Sequence, residues 1–321
     1  MNVLVTGGAG FIGSQFVRLL LNGESGFENV KKVTVVDSLT YSGNLNNLSS
    51  VSQDSRLKVE VNTINNPEFL KEFFVGQDYV FNFAAESHVD RSITDAGSFM
   101  DTNIIGSYNV FNSSLITAVS RVIHISTDEV YGSLVEGSAS EDLILKPNSP
   151  YAASKAASDL IARSFYQTHK LPIIVTRCSN NYGPYQNPEK LIPLTITNLL
   201  LGKKVPIYGT GKNVREWIHV KDHCRAIAYI ALHGKVGEIY NIGGRNSAQN
   251  ITLINKLLEI IGLDFSRVEY VEDRKGHDLR YALNDSKLLS LGFKELIDFE
   301  EGLKQTVQWY EANQDWWRDL K

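Results

Sequence analysis

NVLVTGGAGFIG, residues Asn2 to Gly13, decides the fold of this chain. A short apolar run, Asn2-Val-Leu-Val-Thr6, leads straight into Gly7-Gly8-Ala9-Gly10. Helical spacing then begins at Phe11, with Phe16, Leu19 and Leu20 on one face through Leu21. The pattern reads as strand, glycine turn and helix start. Gly7, Gly10 and Gly13 make a G-x-x-G-x-x-G spacing, in which glycine permits the turn and lets a pyrophosphate approach the backbone. The helix start offers the anion unbonded N–H groups and a positive dipole end. An ordinary tight turn is the plain alternative. Asp37, about two dozen residues further on and closing Lys32-Val-Thr-Val-Val-Asp37, argues against it. A carboxylate there accepts hydrogen bonds from ribose hydroxyls and repels a 2′-phosphate. No Arg or Lys occurs in Ser38–Asn47, so NAD is expected rather than NADP.

Working outward, short apolar segments alternate with amphipathic ones. Strands are expected at Val3–Thr6, Lys32–Val36, Leu57–Val61, Tyr79–Phe83, Val122–Ser126 and Ile173–Arg177. Most are continuous runs of Val, Ile and Phe, as in a parallel sheet covered on both faces. Helices are expected at Phe11–Leu21, Pro67–Phe74, Thr102–Val119, Tyr151–Thr168 (after Ser149-Pro150) and Phe299–Tyr310. The fold class is therefore α/β, a Rossmann-like doubly wound parallel sheet. After Arg177 the texture changes to Asn, Gly, Pro and Tyr, which marks a loop and a smaller C-terminal substrate-binding part. The expected division is an NAD-binding domain over 1–177, with a returning segment near 212–243. Residues 178–211 and 244–321 form the expected smaller, substrate-binding part.

Composition narrows the class. Of 321 residues, 43% are hydrophobic, enough for a large core. Net charge is −4, with no basic block, so nucleic acid is not the expected partner. Cys178 and Cys224 lie far apart without metal-ligand spacing, so no metal is expected and a reducing compartment is. No apolar stretch reaches about 18 residues, and the N-terminus has no basic segment leading into an apolar one. The expectation is a cytoplasmic protein that does not engage the membrane.

Two further stretches carry chemistry. HISTDEVYG, His124–Gly132, ends an apolar strand in two hydroxyls and two adjacent acids, Asp128 and Glu129. On a strand, neighbouring side chains point to opposite faces. Ser126-x-x-Glu129 fits a helix capping box, and a turn beginning at Ser126 would let both acids face one ligand. Tyr151 and Lys155, four residues apart, share a helix face. An ammonium beside the phenol is expected to lower its pKa.

With the glycine turn, the STDEVYG stretch and the Tyr-x-x-x-Lys pair in that order, the chain resembles the extended short-chain dehydrogenase/reductase family, whose members act on nucleotide sugars. The Thr127-Asp128-Glu129 triplet resembles that of its nucleotide-sugar 4,6-dehydratases. The resemblance spans nearly the whole chain, through DSLTYSGNL, NFAAESHVDRSI, SPYAASKAASD, RCSNNYGPYQNPEKLIP, REWIHVKDH, DRKGHDLRYA and the final Trp316-Trp317. It implies a catalytic set of Thr127, Asp128, Glu129, Tyr151 and Lys155. By the same resemblance, Phe11, Ile12, Ser38, Leu39, Thr40, Thr63, Ile64, Phe83, Ala84, Ala85, Ser87, Thr102 and Asn181 join the glycines, Asp37, Tyr151 and Lys155 around NAD. Ser87, Thr127, Asn180, Lys190, Leu191, Pro206, Ile207, Tyr208, Arg215, Asn250, Asp273, Arg274 and His277 are implied around the substrate. Thr63 stands where the family carries Asp, leaving a hydroxyl to meet the adenine amino group. His88 and His219 are given no chemistry.

The implied reaction explains two carboxylates. Carbon 5 of the sugar becomes acidic once carbon 4 is a ketone. One carboxylate then removes that proton while the other, protonated, gives its proton to the departing hydroxyl. dTDP-glucose is the favoured substrate, with a UDP sugar as the alternative. A 4-epimerase or decarboxylase on the same scaffold, or a non-catalytic NAD-binding protein, are the other readings, and Asp128 argues against the first two. The family implies a homodimer through the helices around Thr102–Val119 and Tyr151–Thr168.

Overall fold

The structure, a computed structural model, describes residues 1–273 and 278–321. The first strands are β1 (Asn2–Thr6), β2 (Lys32–Asp37), β3 (Leu57–Val61), β4 (Tyr79–Asn82), β5 (Arg121–Thr127) and β6 (Ile173–Cys178). They are followed by β7 (Asn180–Tyr182), β8 (Val205–Tyr208), β9 (Val214–His219), β10 (Ile239–Ile242), β11 (Asn246–Gln249) and β12 (Val268–Val271). Seven of them form one sheet in the order β10-β6-β5-β4-β1-β2-β3. Every pairing in it is parallel, for example Val5 with Val35 and Ile123 with Ile174.

Alternation within β1 shows why its sequence does not alternate in polarity. Val3 and Val5 pack with Phe16, Leu20 and Ile227 on one face, while Leu4 packs with Val80, Phe111 and Phe165 on the other. Both faces are covered, so the central positions Val3, Leu4 and Val5 are all apolar. The chain builds β1, β2 and β3 toward one edge and then jumps back to β4. The switch lies between β1 and β4, and a crevice opens at their carboxyl ends.

The helix from Phe11 to Leu21 forms as the spacing predicts. The helix at Pro150–His169 starts from Ser149, whose hydroxyl accepts from the Ala152 N–H at 3.1 Å. The single helix expected over Thr102–Val119 is instead a π-helical turn, Met100–Gly106, leading into an α-helix at Ser107–Ile116. Asn103 anchors the widened turn. Its buried amide accepts from the Glu86 N–H at 2.9 Å and donates to the Glu86 carbonyl and to Ser154. A side chain at Gly106 would strike Ile64 at 2.5 Å, so the turn sits against that neighbour.

The smaller part contains a three-stranded sheet, β11-β9-β7, and a pair, β12-β8. Its core joins Tyr182, Ile192, Trp217, Leu257, Tyr310 and Trp317. After β6 the chain enters this part, then returns through a helix at Val220–His233 and strand β10. β9 pairs with β7 and β11, so the return to the large sheet begins at Val220.

Candidate active site

The crevice holds a cavity of about 530 Å³ between the large sheet and the smaller part. Gly7, with φ +67°, takes a backbone conformation that side chains rarely adopt. A Cβ on Gly13 would sit 2.2 Å from the Gly7 carbonyl oxygen. The helix beginning at Phe11 has no side-chain cap, so its first N–H groups face the cavity unspent. Asp37 accepts from the Ala9 N–H at 2.9 Å and the Leu39 N–H at 2.8 Å. Burial raises its carboxyl pKa, and those two N–H groups oppose the rise.

The acids follow β5 directly. Thr127, one residue later than expected, caps the turn Asp128–Tyr131, accepting from the Glu129 N–H at 3.3 Å. The Ser126 hydroxyl has no partner among the described residues, so the Ser126 capping box is corrected to Thr127. The tight 3₁₀ turn aims Asp128 and Glu129 at one cavity. Asp128 is 4% exposed, and only one of its oxygens is met, by the Thr127 hydroxyl at 3.2 Å. Burial first, and then the Glu129 charge, push its pKa up to about 8. It is therefore a neutral acid at pH 7 beside a second carboxyl group, the asymmetry that acid–base chemistry uses.

Tyr151 and Lys155 face the same space from their helix. The expected lowering of the phenol pKa does not occur in the structure. Burial raises it well above its ordinary value, Glu129 adds to the rise, and the Thr127 hydroxyl opposes it. Burial governs the phenol, and the Lys155 ammonium donates to the Ile125 carbonyl at 2.7 Å. Burial in turn lowers Lys155 to about 8, with Asp159 opposing. Asp159 pairs with Arg177 at 2.8 Å beneath the site. A buried chain of Thr6, Asn82, His124 and Ser158 crosses below it, linked at 2.6, 3.1 and 3.0 Å. Burial drives His124 well below its ordinary pKa, so its ring is neutral and takes part only in hydrogen bonding.

The cavity brings together most of the residues singled out in the sequence. On the dinucleotide side these are Gly7, Gly10, Phe11, Ile12, Gly13, Asp37, Ser38, Thr40, Thr63, Ile64, Phe83, Ala84, Ala85, Ser87, Thr102 and Asn181. On the other side are Asn180, Lys190, Leu191, Pro206, Tyr208, Arg215 and Asn250. Leu39 does not line it: the backbone turns there at φ +51°, and its N–H is spent on Asp37. Ile207 does not either. It is 2% exposed and packs with Val205 and Ile254, because alternation along β8 sends Pro206 and Tyr208 one way and Ile207 the other. Asp273 lies against Gly209, outside the cavity wall. Arg274 and His277 lie outside the described residues. The sequence reading missed Tyr281 and Asp278 on the wall, where Arg215 stacks over the Tyr281 ring at 4.5 Å. It also missed Gln186 and Cys178. Nothing local in DLRYA marks Tyr281, since its role depends on packing far along the chain.

Several buried polar atoms on the wall, in Asn180, Asn181, Gln186 and Asn250, have no partner among the described residues. Buried polar groups are ordinarily hydrogen-bonded, so these await a polar ligand. The glycine turn, the uncapped helix and Asp37 suit a dinucleotide on one side of it. Among the described residues no group of three His, Cys, Asp or Glu could hold a metal ion. No described helix is long and apolar enough to cross a membrane.

The family model described as GDP-mannose 4,6 dehydratase matches residues 4–306. A dTDP-glucose 4,6-dehydratase of Actinoplanes sp. is 49% identical over 319 residues, covering 99% of this chain and 100% of that protein. The crystal structure of DesIV, a dTDP-glucose 4,6-dehydratase from Streptomyces venezuelae with NAD and dTDP bound, superposes with a TM-score of 0.99. The two share 52% identity, with both chains fully covered. A dTDP-glucose 4,6-dehydratase from Bacillus anthracis in complex with NAD gives a TM-score of 0.92 at 47% identity, again over 100% of each chain.

Proposed function

The chain belongs to the GDP-mannose 4,6 dehydratase family of nucleotide-sugar dehydratases, and from that premise we propose that it converts dTDP-glucose to dTDP-4-keto-6-deoxyglucose with NAD as its cofactor. One observation carries the reading: Asp128, buried and with its carboxyl pKa pushed up, stands beside Glu129 at the end of the strand, in the cavity that Tyr151 also lines. A 4-epimerase moves a hydride and needs neither acid. A dehydratase needs both, in opposite protonation states.

NAD bound here would supply a hydride acceptor for carbon 4 and a hydride donor for carbon 6. Gly7, Gly10, Gly13 and the N–H groups of Phe11 and Ile12 would hold its pyrophosphate, and Asp37 its adenosine ribose. In the proposed division of work, Tyr151 takes the proton of the 4-hydroxyl, with the Thr127 hydroxyl beside it. Lys155, anchored on the Ile125 carbonyl, holds positive charge near the phenol. Glu129 then removes the carbon-5 proton, Asp128 gives its own to the 6-hydroxyl, which leaves as water, and Glu129 gives a proton back to carbon 5 as the hydride adds at carbon 6. Asn180, Lys190, Tyr208, Arg215 and Asn250 would grip the nucleotide. The Arg215 guanidinium already donates to the carbonyls of Val214 and Asp278, which fixes its plane for a phosphate.

Exposed Ile105, Tyr108 and Leu160, on the Met100–Ile116 and Pro150–His169 segments, supply the apolar face of a homodimer. Two free, buried cysteines suit a reducing, cytoplasmic setting. The test is a side-by-side incubation with dTDP-glucose, UDP-glucose and GDP-mannose, followed by alkaline detection of a 4-keto sugar. Product from dTDP-glucose alone is expected. Product from UDP-glucose instead overturns the base assignment. No product from any of the three, with NAD bound, returns the non-catalytic reading.

A further inference from the structure

The glycine turn is steadied from a distance. The Ala9 carbonyl lies in the middle of that turn, and it accepts two hydrogen bonds, from the Asn44 N–H at 3.1 Å and from the Asn47 side-chain amide at 2.8 Å. The Ala9 N–H is held by Asp37. Both sides of this residue are thereby fixed. The following peptide N–H, that of Gly10, closes the turn on the Gly7 carbonyl at 3.2 Å. The Asn47 amide is 2% exposed, and its oxygen accepts from the indole N–H of Trp316 at 2.9 Å. Trp316 lies in the last helix of the chain, Gln314–Arg318, 269 residues from Asn47.

The donor and acceptor chemistry makes the arrangement directional. An indole N–H can only donate and a carbonyl can only accept. Asn47 must therefore turn its oxygen to Trp316 and its NH₂ to Ala9, and no other orientation satisfies both. An amide is the group that bridges a donor-only and an acceptor-only partner at this reach. A carboxylate at 47 would set oxygen against the Ala9 oxygen. A second contact runs in parallel. The Arg18 guanidinium, on the helix that the glycine turn opens, donates to the Asn47 carbonyl and stacks on Tyr185 at 4.5 Å. Tyr185 in turn meets the rings of Trp309 and Trp316.

We propose that Trp316 is a positioning residue for the dinucleotide site, holding the glycine turn in its pyrophosphate-binding shape through Asn47. Cofactor retention is thereby coupled to the docking of the C-terminal helix on the large sheet's glycine turn. This inference rests on the NAD reading above.

The test compares NAD binding by calorimetry in the full chain, in Trp316→Phe, in Asn47→Ala and in the double variant, together with dTDP binding and melting temperature. Trp316→Phe keeps the ring packing and removes the N–H. It is expected to weaken NAD binding roughly three- to tenfold, the range of one hydrogen bond. dTDP affinity stays unchanged, and the double variant is no worse than Asn47→Ala alone, since the two act in series. Unchanged NAD affinity in Trp316→Phe overturns the proposal. Additive losses in the double variant overturn it as well, as does equal weakening of NAD and dTDP, which marks a general loss of structure. Should Asn47→Ala fail to fold, the NAD-against-dTDP comparison in Trp316→Phe decides alone. Failure of the unaltered chain to bind NAD would instead strike the functional reading beneath it.

Discussion

The two ends of the cavity are built on different principles. The dinucleotide end is made of backbone and of side chains too small to intrude: Gly7, Gly10, Gly13, Ala84 and Ala85. Its chemistry comes from N–H groups whose positions follow from the turn. The sugar end is made of ionisable side chains, Glu129 with Asp128, Tyr151 and Lys155, and burial shifts the last three. Shape carries the first and desolvation the second. Changes at one end should therefore act on binding, and changes at the other on rate and pH dependence.

The largest break in that contrast is expected at Glu129. Glu129→Gln should lower turnover by about 10³, the usual scale for a lost general base, while NAD binding holds. Solvent deuterium should no longer enter carbon 5, and retained exchange would remove Glu129 from the base role. Next comes the dinucleotide end. Gly13→Ala places a methyl 2.2 Å from the Gly7 oxygen and should weaken NAD binding roughly 10- to 100-fold by overpacking, as a titration would read.

The third prediction concerns pH. Asp128 rises from its ordinary 3.8 to about 8, so the folded protein holds a proton there that the unfolded chain has released across that window. Stability associated with this group is complete below the unfolded value and is lost as pH climbs toward the folded one. Asp128→Asn should raise the melting temperature by roughly 2–4 °C at pH 7, with a gap that narrows toward pH 5. It should also slow elimination more than oxidation and abolish the fall in the parent's elimination rate above about pH 8. The smallest effect is at the adenine edge. The Thr63 hydroxyl accepts from the Asn65 N–H at 3.1 Å, which leaves one lone pair for the adenine amino group where a carboxylate would offer more. Thr63→Asp should tighten NAD about two- to threefold, on the scale of one weak hydrogen bond.

The same contrast governs what could be read from the sequence. Five of the six expected strands of the large sheet were legible because burial on both faces writes largely apolar runs, the edge strand β3 by its alternating Leu57-Lys-Val-Glu-Val61, and the glycine turn because only glycine fits it. The acids and the Tyr-Lys pair were legible as residues, since their spacing survives in one dimension. Their ionisation was not. The Tyr151 phenol rises where the neighbouring ammonium was expected to lower it, because burial, which spacing along the chain does not reveal, dominates. Ile207 was misplaced for a local reason, since alternation along a four-residue strand was there to be used. The π-helical turn at Met100–Gly106 and the Trp316–Asn47 contact had no local signature at all, being set by partners far along the chain.

The strand order also sets a timetable for synthesis. β6 takes its outer neighbour, β10, only after the intervening excursion into the smaller part. At ribosomal speeds of about 5–20 residues per second, the roughly 60 residues between them take about 3–12 s to emerge. For that interval Ile173–Cys178, buried along its length in the finished fold, is a bare edge whose outward N–H and C=O groups are open to any passing strand. The nascent chain is thus most prone to aggregate in this interval, and a holdase or slower growth temperature would raise soluble yield through β6, leaving the finished enzyme unchanged.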